Sequence, residues 1–372
     1  MKFTCTKENL IRAISLVSNI AGKQTNLPIL SNILIQVNQS KVTFATTNLE
    51  MAVSTTVRAK IEEEGSFTVP AKILSDYIGL ISSEQISLEK IDAELQIASD
   101  TASTKIKGIE AEEFPVIPTV EGGLEYGLLV DPFRQALSKV VFAAARNEIR
   151  PELSGINFSF FSERYKGLVL ASTDSYRLAE KKLSVTSGNE QKNSIVPAKA
   201  VQEMHRLLSS AKEDTTHEVK LLIGQAQIAM IFADVTLVSR LIEGSYPDYV
   251  QIIPEELKTT AIVSKDRFVT SIKAASLFAS TGINAVTFSI HADQQVVTLS
   301  SSSVQAGEHV AHVDGTVHGG DNDIVLNYKY ILEGIQHMDG DIEFQINSNE
   351  SPSVLRSKND DSYIYIVMPI RQ

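Results

Sequence analysis

The chain has one cysteine, Cys5, in 372 residues. A single thiol excludes an internal disulfide framework and fits a reducing cytoplasm. No run approaches the ~20 apolar residues needed to span a bilayer. The stretch Met1-Lys2-Phe3-Thr4-Cys5-Thr6-Lys7 lacks the apolar core of a signal peptide. A cytoplasmic protein with no membrane partner is therefore expected. Positive charge is in the minority: 34 Lys and Arg stand against 45 Asp and Glu, a net −11. Taken as a bare sum, that argues against a nucleic-acid partner. Reactive motifs are missing as well. No Gly-x-Ser-x-Gly elbow surrounds Ser175, and there is neither a phosphate-cradling glycine loop nor a His-Glu-x-x-His. His309, His312 and His318 with Asp314 match no zinc spacing, and in an alternating strand 309 and 312 point to opposite faces. No catalytic residue, metal or cofactor is expected.

What the chain does have is repetition, which decides the fold wherever it occurs. Val69-Pro70-Ala71-Lys72-Ile73-Leu74 returns 127 positions on as Val196-Pro197-Ala198-Lys199-Ala200-Val201. Leu326-Asn327-Tyr328-Lys329-Tyr330-Ile331 keeps the lysine and drops the proline. Each copy reads as a strand, a proline in the first helical turn, and an amphipathic helix. Helices are expected near residues 10, 73, 133, 201, 268 and 331, the first ended by Gly22, the third running to about Arg146 and the fifth to about Ser280. Alternating runs such as Leu27 to Val37 and Lys41 to Thr47 read as strands. Glu112 to Gly123 reads as a linker. The fold class is α+β, with antiparallel sheets carrying helices on one face, in three similar domains at 1–122, 123–255 and 256–372. Each helix-plus-sheet unit is too small to bury its own sheet, so neighbours must share cores.

The distribution of charge changes the meaning of its sum. Over residues 7–20, 70–81, 131–150, 197–212, 264–279 and 326–338, Lys and Arg exceed Asp and Glu by 7, which leaves −18 elsewhere. An acidic protein with basic helices has one surface that attracts polyanions and another that repels them. Solvated helix faces carry Lys and Arg in any case, so Lys72 and Lys199 read equally as surface lysines or as DNA-facing ones.

Six segments, by their order and spacing, carry a specific resemblance. They are Leu27-Pro28-Ile29-Leu30-Ser31-Asn32, the two Val-Pro-Ala-Lys units, Thr173-Asp174-Ser175-Tyr176-Arg177-Leu178-Ala179, Ser239 to Tyr249, and Val367-Met368-Pro369-Ile370-Arg371. The chain resembles the bacterial sliding-clamp family, the beta subunit of the replicative DNA polymerase. The resemblance implies a head-to-tail homodimer of three-domain crescents closed around double-stranded DNA, with helices lining the hole and sheets outside. It implies no catalytic activity, an ATP-driven clamp loader, and polymerases and repair proteins that dock a short peptide between the second and third domains. By resemblance that cleft is formed by Leu153, Thr173, Ser175, Tyr176, Arg177, Leu178, Pro247, Val367, Met368, Pro369, Ile370 and Arg371. Leucine, proline and methionine suit an adaptable apolar floor, while threonine and arginine can fix a peptide backbone. Arg177 also reads as an ordinary buried salt-bridge residue.

DNA-facing residues by the same resemblance are Lys23, Gln24, Lys72, Arg146, Arg150 and Lys199. Ile106 on an edge strand would meet Ser276 and Leu277 of the other subunit. The chain departs from the family pattern in places. Ser175-Tyr176 replaces the usual Gly-His and narrows the pocket. Val250 and Gln251 stand where basic residues are frequent. Gln24 replaces a frequent arginine, with Lys23 beside it, and polar Gln372 ends the chain where an apolar residue is common. The rival classes are an enzyme, which turnover of a substrate would reveal, and a repeat scaffold that never loads onto circular DNA.

Overall fold

The computed structural model describes residues 1–22, 27–120, 122–146, 149–210, 218–280 and 282–371. Among these, α-helices form at the six expected places: α1 Lys7–Val17, α2 Ala71–Leu80, α3 Val130–Val141, α4 Ala198–Ser209, α5 Lys265–Ser276 and α6 Tyr328–Ile335. In α1 the stripe Leu10, Ala13, Ile14 and Val17 is buried, and Thr6 caps the start by accepting from the Asn9 N–H at 3.3 Å. Three helices stop short of where their apolar spacing runs. Beyond Val17, Val141 and Ser276 the backbone tightens to i−3 bonds, such as Ala21 to Ser18, Ala143 to Val140 and Phe278 to Ala275. Tightened turns of this kind keep an apolar face inward without extending the α-helix.

The prolines sit one residue earlier than expected. Pro70 and Pro197 close the strands Gly65–Pro70 and Lys192–Pro197, and the helix begins at the following alanine. Pro70 has φ −55 and ψ 120, extended rather than helical. Both strands lie at sheet edges, where a residue with no N–H to donate is tolerated. In the copy without proline, Asn327 does the capping, accepting from the Lys329 N–H at 3.0 Å. The segment from Leu27 to Val37 also differs: Pro28–Ser31 winds into a 3-10 turn and the strand is only Asn32–Val37.

By density of contacts the chain forms two units, each of which mixes repeats. The first holds residues 1–131, 185–188 and 203–241, and the second holds 132–184, 189–202 and 242–372. Within the first unit lie a five-stranded sheet ending on the edge strand Ser103–Lys107 and an eight-stranded sheet. The latter pairs Met51–Val57 of the first repeat with Val235–Arg240 of the central one, antiparallel. In the second unit a twelve-stranded sheet pairs Arg177–Leu183 of the central repeat with Asp360–Val367 of the last. Sheets thus run through the repeat boundaries, which is how neighbours share cores.

Ionic clasps hold each of these strand pairs. In the second unit Asp360 accepts from Lys181 at 2.8 Å and from Lys139 of α3 at 3.1 Å, all three largely buried. Burial favours the neutral acid there, but hydrogen bonds from Lys181, Ser362 and Lys139 outweigh it and hold the carboxyl well below the usual range. In the first unit Asp234 takes the same part with Arg12 of α1 at 2.7 Å and Thr55 at 3.0 Å. Also in the first unit, Arg206 covers the last carbonyls of α1, donating to Ser15 and Leu16 at 3.2 and 2.5 Å.

Candidate functional site

The strands Leu168–Thr173 and Arg177–Leu183 are joined by a turn that its own side chains tie shut. Thr173 Oγ1 donates to the Arg177 carbonyl at 2.6 Å and accepts from the Ser175 N–H at 3.1 Å. Asp174 Oδ1 accepts from the N–H groups of Tyr176 and Arg177 at 3.0 and 3.1 Å. This clasp holds Ser175 at φ 75, the left-handed region that favours glycine. The family's usual glycine would sit there without strain. Tyr176 follows, 63% exposed, with its ring stacked on Tyr330 at 6.4 Å.

Arg177 is only 5% exposed, and its guanidinium is fully engaged. Nε donates to Asp174 at 3.1 Å, Nη2 to the Phe142 carbonyl at 3.0 Å, and Nη1 to Glu333. Its cationic plane lies 4.7 Å from the Tyr330 ring centroid and 5.5 Å from that of Phe142. Burial opposes the charge, yet Tyr365 and the carboxylates of Glu333 and Asp174 prevail and raise the pKa above the ordinary value. Arg177 therefore pins the turn in place, with each of its three nitrogens already bonded. Nothing in the sequence pointed to Phe142, Tyr330 or Glu333, because they come from distant elements.

Below the turn lies an apolar cluster of Ala171, Leu178, Tyr249, Val354, Ile364 and Ile366, with Tyr246 packed against it. Tyr246, missed by sequence reasoning although it precedes Pro247, accepts from the Thr173 N–H at 3.0 Å. Burial pushes the phenol of Tyr246 above its usual range, so it stays neutral. Half-buried Pro247 continues from it. Val367 is the last strand residue, paired with Arg177. The chain then leaves the sheet: Met368 N–H donates to the Tyr176 carbonyl at 2.9 Å and Ile370 N–H to Val325 at 2.8 Å. Met368, Pro369 and Ile370 remain half-buried and Arg371 is exposed. Leu153, 3% exposed, lies in the 3-10 turn Pro151–Ser154 and accepts from the Ala145 N–H at 2.9 Å. The structure thus ties Thr173, Ser175, Tyr176, Arg177, Leu178, Val367 and Met368 into one bonded surface, with Pro247 and residues 369–371 continuing it.

The remaining candidates fall in different settings. Lys72, Lys199 and Arg146 are exposed, without an ion pair among the described residues. Arg150 is paired with Glu152 at 3.0 Å. Lys23 and Gln24 lie outside the described residues, as does Gln372. Several cations in the helical count are held at home, Arg12, Lys139 and Arg206 by Asp234, Asp360 and Glu203. Ile106 is on an edge strand, but its side chain is 5% exposed and faces its own core. Leu277 caps the end of α5 and is 74% exposed, with Ser276 half-buried beside it. The first half of the strand Gly307–Gly319, residues 307–314, pairs on one side only, with Val296–Ser303.

Of the histidines, His309 stacks on Phe278 at 5.4 Å and His312 contacts Thr298 Oγ1 at 3.0 Å; among the described residues no group of three or more potential ligands converges. Cys5 is buried, which pushes its thiol up to about 12, so it is no nucleophile. Among the described residues no helix is long and apolar enough to cross a membrane.

Three repeats of antiparallel sheet and short helix, joined by sheets that run through their boundaries, define a three-domain clamp fold. Family models for the DNA polymerase III beta subunit match along the chain: the N-terminal domain over residues 1–118, the central domain over 128–248 and the C-terminal domain over 250–371. The beta sliding clamp of Synechocystis is 27% identical and that of Staphylococcus aureus 28%, each comparison covering 100% of this chain and 99% of the relative. Crystal structures of the sliding clamp of Bacillus subtilis and the beta subunit of Thermotoga maritima superpose with TM-scores of 0.93 and 0.92. Their identities are 26% and 29%, over 100% of this chain and 99% of theirs. The chain belongs to the bacterial sliding-clamp family, the beta subunits of DNA polymerase III.

Proposed function

We propose that this protein is a DNA sliding clamp, a non-catalytic processivity factor. Two copies close head to tail around duplex DNA and tether the replicative polymerase and other factors. The observation that carries this reading is the match of all three beta-subunit domains, in order, over almost the whole chain. The three domains are placed at 1–122, 123–255 and 256–372. Lys72, Lys199 and Arg146, exposed and unpaired among the described residues, are the cations offered to DNA, with Arg150, Lys23 and Gln24 beside them in the proposal. Partner peptides, those of the clamp loader included, dock on the surface built from Thr173–Leu178, Pro247 and Val367–Arg371, with Leu153 beneath.

For ring closure, the edge strand Ser103–Lys107 of one copy adds to residues 307–314 of the other, each with an unpaired side. Ile106 then contributes backbone rather than side chain. Lys105 and Lys107 meet a strand carrying Glu308, and exposed Leu277 and Val310 supply apolar area.

The test is topological. A protein that binds DNA only by charge loses about 10³–10⁵ in affinity between 50 and 200 mM salt, whatever the DNA's ends. Loaded by an ATP-driven loader onto a nicked circle, this protein should remain through high salt and leave once a restriction enzyme cuts the circle. Leu277→Asp, which places a charge in the proposed ring contact, should slip from the uncut circle too. Equal loss of the unaltered protein from circles and linear DNA would overturn the reading.

A further inference from the structure

The turn at Thr173–Arg177 has a twin. In the first unit Thr47 Oγ1 donates to the Met51 carbonyl at 3.0 Å and accepts from the Leu49 N–H at 3.1 Å. Asn48 Oδ1 accepts from the N–H groups of Glu50 and Met51 at 3.0 and 2.8 Å. Leu49 is held at φ 73, as Ser175 is at φ 75. Even the exit of the last strand is repeated. Arg240 N–H donates to the Glu50 carbonyl at 2.9 Å, the bond that Met368 makes to Tyr176. Bond for bond, the scaffold of the docking surface recurs where the first repeat meets the central one.

Its side chains differ in one direction. Met51 stands in place of Arg177, so no buried cation or carboxylate pair fills the site. Ala52 stands in place of Leu178, a core residue with 0% exposure, and the smaller side chain leaves room. A cavity of about 190 Å³ opens there, lined among others by Leu49, Met51, Ala52, Val116 and Val238 with Arg240 at its rim. That volume admits one large apolar side chain. Leu49 is 47% exposed and Val116 93%. Holding a leucine at positive φ on the surface is unfavourable unless the exposed side chain meets something. Arg240 is exposed and has no ion pair among the described residues, which offers a cation to an acidic group. Glu50, on the turn, discourages a second acid.

We propose that this cleft is a second docking site, taking a short extended peptide that carries a branched apolar side chain beside a single acidic one. The proposal rests on the reading of the Thr173–Leu178 surface as the partner cleft, whose scaffold it shares.

The test counts sites. The probe is a fluorescein-labelled, acetylated pentapeptide of sequence Gly-Asp-Leu-Leu-Gly, titrated calorimetrically and by anisotropy into the full chain. Two equivalents should bind per chain, and one should remain after deletion of residues 368–372. Ala52→Leu, which installs the side chain found in the twin, should remove the other. Arg240→Glu, a surface change that leaves the core intact, should weaken that same equivalent about tenfold. A probe with lysine for aspartate should restore it in that variant. One equivalent that vanishes with the tail deletion would overturn the second site while keeping the first. One equivalent that survives the deletion and is lost in Ala52→Leu would support the second site and remove the first.

Discussion

The two strand junctions of this molecule have one backbone and two temperaments. At Thr173–Arg177 against Asp360–Val367, the turn is packed with a buried arginine, two carboxylates and two aromatic rings. Across from it a largely buried aspartate is clasped by two lysines. At Thr47–Met51 against Val235–Arg240, the same turn buries no ion pair and is partly hollow. Its aspartate, Asp234, is held by an arginine 43% exposed and by a threonine. The hydrogen bonds that set the turn come from threonine and an Asn or Asp side chain in both. The turn geometry therefore needs only these two residues, and everything else at a junction is free to specialise. One junction is filled by a buried ion network, the other is left open.

Importing one junction's residue into the other should break the comparison most sharply. Arg177→Met, which copies Met51, leaves Asp174 and Glu333 without their cation. Breaking a buried pair in this way costs about 3 kcal/mol or more, read by chemical denaturation, and partner peptides should bind more weakly as the wall loosens. A loss below about 1 kcal/mol would mean that the arginine is not structural.

A middle-sized effect should separate the two clasps by pH. Asp360→Asn is expected to cost about 1–3 kcal/mol at neutral pH, and Asp234→Asn, whose arginine partner is more exposed than the two lysines, less than about 1 kcal/mol. The folded-state pKa of Asp360 is depressed, so its contribution is complete above the ordinary carboxylate range. It is lost as pH falls through the lowered folded value. The gap between Asp360→Asn and the unaltered protein should accordingly shrink in acid. A gap that stays constant would remove the ionic account.

The smallest effects should come from the turn tips. Ser175→Gly relieves left-handed strain and should stabilise by about 0.5–1 kcal/mol. Leu49→Gly should give about the same if that side chain touches nothing in the free protein, and less if it helps line the cavity. Thermal midpoints of the two variants would tell these apart.

Much of this organisation was legible in the sequence. The six helices were visible because apolar spacing and the recurring Pro-Ala-Lys are local signals. The candidate cleft was legible only through resemblance, since Arg177 and Val367 meet by strand pairing across almost two hundred residues. The twin turn escaped because Thr47-Asn48-Leu49-Glu50-Met51 and Thr173-Asp174-Ser175-Tyr176-Arg177 share just a threonine and an Asx residue. Those two make all four clasping bonds, so a search for Thr-Asn or Thr-Asp pairs about one repeat apart would have found it. The charge count overstated the free cations, because a composition cannot show that Arg12 and Lys139 answer aspartates far along the chain. Ile106 does lie on an edge strand, but one residue in two on such a strand faces inward.

Processive synthesis on a primed circle tests the whole account most directly. With a loader and a cognate polymerase, the unaltered protein should give full-length products from single binding events. The protein lacking residues 368–372 should remain on the circle after loading is forced with excess loader, yet give products no longer than those made with no clamp at all. Long products from the truncated protein would contradict the cleft. Short products from the intact protein, retained on the same circles, would contradict the clamp itself.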